Sequence, residues 1–148
     1  MGSVSTHPTI ATPCDTARTL RVQTFMAEQL EPTADEIWSR AGFIYTPEET
    51  IDLWPKTDEE WAEVAAYADQ LIELAAILET EPYSADAEVW IEYSRGLATA
   101  AQGLKDNAEA QAREPLFNSG GYIYNVCRAC HQAYMDVDGF NPPQGPDQ

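Results

Sequence analysis

Apolar positions recur every three or four residues along most of this chain, and nowhere do they alternate with a period of two. That spacing is the signature of amphipathic helices and argues against a β fold. The clearest case lies between Pro55 and Pro82, where Trp61, Val64, Ala65, Ala68, Leu71, Ile72, Ala75 and Leu78 form one stripe. Thr57-Asp58-Glu59-Glu60 reads as a capping box ahead of it, so the pattern predicts a helix over about 57–80. Glu81-Pro82-Tyr83 interrupts it, and a cap at Ser84 or Asp86 starts the next helix. The stripe of that helix is Trp90, Tyr93, Leu97, Ala100, Ala101 and Leu104, running to about Arg113 before Pro115.

An earlier helix is predicted from roughly Asp15 to Ala41, with Val22, Met26, Leu30, Thr33, Ile37 and Trp38 on one face and a kink at Pro32. Residues 42–56, which hold Pro47 and Pro55, read as a loop rather than a strand. A last helix is expected over about 116–136, with Tyr124, Cys127, His131 and Tyr134 on one face and a frayed or bent start at Gly120-Gly121. Four helices with a short connection at 81–84 predict an all-α, antiparallel up-down-up-down four-helix bundle. Trp38, Trp61 and Trp90 are expected in its core. At 148 residues the chain suits one domain, placed at 15–138. Residues 1–14, beginning Met1-Gly2-Ser3, are expected to be disordered or tag-derived, and 139–148 a flexible tail.

Charge narrows the partners. Twenty-five acidic residues against eight basic ones give a formal net charge of −17. Such a surface repels nucleic acid and anionic membranes, and no apolar run reaches spanning length. It suits a basic partner protein, a saline setting, or solubility alone.

The chemistry is concentrated at Cys127-Arg128-Ala129-Cys130-His131, a C-x-x-C-H pentapeptide. This is the attachment signal of a covalent c-type haem: two thiols add across the vinyl groups and the adjacent imidazole faces the iron. The chain has three Cys and two His in total, so finding three of those five together by accident is improbable. Other readings fare worse. A zinc site needs a second Cys/His pair, and His7 and Cys14 are too sparse to provide it. A thioredoxin-like motif needs a βαβ context, and a structural disulfide needs no His. With His131 on iron, His7 is the only remaining imidazole, and a hydrolytic site is improbable. Met135, four residues after His131, lies on the same helical face and cannot reach the opposite side of the ring. Any sixth ligand must therefore come from earlier in the chain.

A four-helix chain ending in Val126-Cys127-Arg128-Ala129-Cys130-His131-Gln132-Ala133-Tyr134 resembles the cytochrome c′ and c556 family. The resemblance covers the architecture of roughly 15–136 and is specific in sequence only around 127–134. It implies a haem near one end of the bundle, with its proximal His on the last helix and its distal side covered by the first. Members with a Met on the first helix are six-coordinate electron carriers, whereas those with an apolar residue there bind nitric oxide or carbon monoxide. Met26 matches the first branch; its plainer reading is a core filler. Many members carry a basic residue four places after the His, and Met135 stands there instead.

The expectation is thus a soluble mono-haem c-type cytochrome, an electron carrier rather than an enzyme, with His131 and Met26 as axial ligands. The alternative is a five-coordinate protein binding or sensing NO or CO, and a third is an attached electron donor to an oxidoreductase. Arg18, Arg21, Arg95 and Arg128 are candidates to pair with the haem propionates, and Tyr124 and Tyr134 to pack against the ring or line its pocket. Covalent attachment takes place outside the cytoplasm, so a periplasmic protein with its export signal removed or replaced is expected. Cys14 is expected as a free or intermolecular thiol. The partner expected is a redox protein with a basic patch, and the resemblance implies a possible homodimer.

Overall fold

The computed structural model describes residues 13–84 and 88–134. The expectations for His7, Asp86, Met135, the tail and the Cys14 thiol lie outside the described residues and side chains. The fold is mostly helical. A first helical run comprises α1 (Pro13–Phe25), a π-turn (Met26–Leu30) and α2 (Glu31–Trp38). A hairpin of β1 (Phe43–Tyr45) and β2 (Thr50–Asp52) follows, then α3 (Asp58–Leu78), α4 (Val89–Glu109) and α5 (Arg113–Tyr134). In chain order α2 packs on α3, α3 on α4, and α4 on α5.

The predicted stripes of α3 and α4 form much of the core, joined by Ala108 and Ile123, which the sequence pattern did not single out. Val64, Ala68, Leu71, Ala75, Ala101, Leu104, Ala108 and Ile123 are all but sealed from solvent. Small alanines at four of these positions, two on each helix, let α3 and α4 approach closely. The cap is as the sequence indicates: the Glu60 N–H donates to Thr57 Oγ1 at 3.1 Å. The Glu60 carboxylate reaches back one residue further than a capping box requires, to the Lys56 N–H.

Three local expectations need correction. The stretch 42–56 is not all loop. Ile44 pairs with Ile51 and Tyr45 with Thr50 in an antiparallel register, closed by Thr46-Pro47-Glu48-Glu49, where the Thr46 N–H donates to the Glu49 carbonyl at 2.8 Å. Pro47 sits in the turn rather than in a strand, where it removes no ladder bond. Gly42 feeds the hairpin with φ +87°, and a Cβ there would lie 3.1 Å from the Phe117 ring, so both conformation and space favour glycine.

The end of the fourth helix also shifts: α4 stops at Glu109, short of Arg113. Gln111 adopts φ 53°, and the N–H groups of Ala112 and Gln111 donate to the carbonyls of Asn107 and Ala108, each at 3.0 Å. This is a Schellman ending with Gln where Gly is usual. α5 therefore begins early, with Pro115 in its first turn, where no N–H is required. Gly120 and Gly121 lie within α5 rather than at a frayed start. Third, the irregularity expected at Pro32 falls just before it. Pro32 has no N–H to give and its ring crowds the carbonyl four residues back; the helix widens, and the Glu31 N–H donates to the Met26 carbonyl, five residues back.

Candidate functional site

A cavity of about 330 Å³ opens between the first helical run, the end of α3, the start of α4 and the end of α5. Its volume lies in the usual range for small-molecule and cofactor sites. α5 contributes Tyr124, Val126, Cys127, Arg128, Cys130 and His131; the first run contributes Met26, Leu30, Glu31, Ala34, Asp35 and Trp38. Leu78, Trp90, Tyr93, Ser94 and Leu97 complete the lining. The helix places the pentapeptide here because Cys127, Cys130 and His131 stand three and four residues apart, on one face. Met26, some hundred residues earlier, reaches the same cavity at the first position of the π-turn.

The surroundings are held by aromatic contacts and indole hydrogen bonds. Trp90 Nε1 donates to the Leu78 carbonyl at 2.6 Å, fixing the start of α4 against the end of α3. Trp38 Nε1 donates to the Gly120 carbonyl at 3.0 Å, and its ring meets Tyr124 edge-on at 6.1 Å. Trp38 and Tyr124 also line a second apolar cavity, of about 330 Å³, together with Ile37, Leu116 and Phe117. Tyr134 is not a lining residue; it packs edge-on against Trp90 at 4.9 Å and Tyr93 at 6.3 Å, behind the wall they form.

Burial sets the chemistry of the pentapeptide. It pushes the Cys127 thiol up to about 11, with a backbone hydrogen bond opposing. It does the same to Cys130, where the Cys127 sulfur adds to the effect, again up to about 11. Both are free thiols, neutral at physiological pH. A dithiol redox motif would depress one of them instead. Burial also lowers the His131 imidazole below its ordinary value, against the pull of the Glu31 carboxylate, which leaves a neutral ring available as a ligand.

The four candidate arginines separate. Arg95 pairs with Glu79 at 3.1 Å, and Arg18 and Arg21 lie outside the lining. Arg128 lines the cavity, and its Nε is buried without a hydrogen-bond partner. Glu31 and Asp35, which the sequence did not single out, line it too. Only the π-turn brings Glu31 to the face of Met26, and Pro32 is the sole sequence signal of it.

Among the described residues no group of three or more His, Cys, Asp or Glu is arranged to hold a metal ion, whereas a haem iron asks the protein for only one or two axial ligands. The residues fit that cofactor: two neutral thiols and an imidazole on one face, a sulfur from another element, and a mostly apolar cavity. Among the described residues no helix is long and apolar enough to cross a membrane. No protein-family model matches the chain, no curated protein matches it significantly, and no solved structure does so.

Proposed function

We propose that this chain is a mono-haem c-type cytochrome that carries single electrons, built as the antiparallel four-helix bundle of the cytochrome c′ and c556 kind. The observation that carries the reading is that Met26 lines the same cavity as Cys127, Cys130 and His131. The sequence singles out the pentapeptide by its spacing, and the family resemblance singles out Met26, at the other end of the chain, as the ligand expected opposite His131. In this reading Cys127 and Cys130 carry the two thioether links, His131 gives its imidazole to the iron, and Met26 gives its sulfur. Haem c would supply a one-electron iron couple. Leu30, Leu97 and Trp90 keep water from that couple, so little solvent must reorganise when charge moves. A thioether ligand favours the ferrous state and raises the potential.

The site is periplasmic in this reading, since covalent attachment is made outside the cytoplasm. The partner is a redox protein with a basic docking patch, complementary to the net charge of −17. The test is attachment. The intact mass should exceed that of the polypeptide by one haem, and acid–acetone should leave the colour on the protein. Cys127→Ser or Cys130→Ser should leave a single thioether and mature poorly. A bare polypeptide mass, or haem extracted cleanly by the solvent, would refute the reading.

A further inference from the structure

We propose that the second cavity is a binding site for a small, uncharged aromatic molecule. The proposal goes beyond the haem reading and stands without it. The buried side chains of Ile37, Leu104 and Leu116 line this cavity with the rings of Trp38, Phe117 and Tyr124. Its volume of about 330 Å³ is more than twice the roughly 150 Å³ of an apolar cavity that stays dry and takes benzene. Only Trp38 and Tyr124 are shared with the cofactor cavity, so the two spaces are separate and meet at that pair of rings.

Two glycines of α5 keep the space open. Gly120 and Gly121 both line it, inside a helix, where only proline costs more than glycine. Packing explains Gly42, where a Cβ would crowd the Phe117 ring at 3.1 Å, but it explains neither of these. A Cβ at Gly121 would meet nothing within 4 Å, and one at Gly120 would make an ordinary contact with Trp38. The lining also fixes the class of ligand. No charged side chain belongs to it, in a chain of twenty-five acidic and eight basic residues. The Trp38 indole N–H is already given to the Gly120 carbonyl. An ion entering here would lose its hydration and gain no countercharge. A ring meets three rings instead, and aromatic pairs gain from edge-on or offset contact beyond the area they bury. Phe117 is 56 % exposed, so an occupant would cover an aromatic surface now in water.

The experiment is an NMR titration of the isotope-labelled full chain with toluene. Toluene should shift the Gly120 and Gly121 amides and the Trp38 indole N–H until they saturate. Benzoate, the same ring with a charge, should leave them in place. Gly121→Leu and Ala41→Leu each put a larger side chain at a lining position and should weaken toluene binding by about tenfold or more. Gly121→Leu replaces a poor helix former with a good one, so it should fold; if it does not, Ala41→Leu decides. Four results would overturn the proposal: no saturable shift, benzoate binding as well as toluene, binding undiminished in both variants, or shifts centred on the Trp90 indole N–H. The last would put toluene in the cofactor cavity, which Trp90 lines.

Discussion

The indole of Trp38 donates to the main-chain carbonyl of Gly120 at 3.0 Å, tying the first helical run to α5 across 82 residues of sequence. A Cβ at Gly120 would stand 3.5 Å from the ring, at ordinary van der Waals contact. The contact braces the two elements that carry Met26 and the pentapeptide. Trp38→Phe should lose about 0.5–1.5 kcal/mol for the hydrogen bond, and Trp38→Ala about 3–5 kcal/mol for the ring as well. Denaturant midpoints of the wild type and the two variants check this; a Trp38→Phe midpoint equal to that of the wild type would show that the hydrogen bond carries none of it.

Ligation by Met26 has its own signature. The ferric protein should be low-spin, with a weak sulfur-to-iron band in the near infrared, and the ferrous protein should take up carbon monoxide slowly or not at all. Met26→Ala should open the site and give a five-coordinate or water-ligated form that binds carbon monoxide readily. Wild-type protein that is already high-spin and reactive to carbon monoxide would instead favour the gas-binding reading.

Salt should slow electron transfer to a basic partner. Exposed charges lose their reach beyond a Debye length of about 8 Å at physiological ionic strength. Stopped-flow rates measured from low to high salt read this directly. A flat dependence would assign the acidity to solubility or to a saline setting.

Acid should loosen the hairpin. The Trp54 N–H foremost, then Lys56 and Arg113, hold the Asp52 carboxyl below its ordinary range. The folded chain thus binds this proton less tightly than the unfolded chain. The resulting stability is complete above the ordinary Asp value of about 3.9 and is lost as the pH falls through the lower folded value. An NMR titration should put the Asp52 midpoint below that ordinary value, and Asp52→Asn should abolish the transition at the Trp54 amide. A midpoint at or above the ordinary value would count against these contacts.

How much of this was legible beforehand varies by element. The α3 stripe was readable residue by residue, because burying one face of a helix imposes its period on the sequence. The hairpin was not, because all six strand residues are exposed and no buried face forces an alternation; only the Phe-Ile-Tyr run and the Pro47 turn hinted at it. The end of α4 was missed because Gln111, rather than a glycine, takes the left-handed position. At the site, the pentapeptide and Met26 could be named from sequence. Arg128 was one of four candidates until the fold put it on the cavity. Glu31 was invisible, because its place depends on a helix that departs from the ordinary period.

That departure can be restated as a matter of residue count. A π-turn is an α-helix carrying one residue too many, and here the surplus lies between Met26 and Leu30. Deleting an exposed residue such as Ala27 would let the helix regularise ahead of Pro32. Every position before the deletion would keep its place around the axis relative to Leu30 and Ile37, because the widened turn already absorbs the extra residue. The same deletion in a regular stretch of helix would instead swing the positions before it by about 100°. The face that this methionine presents is kept by the turn that takes up the surplus, and Met26 would stay on the cavity with Ala27 gone.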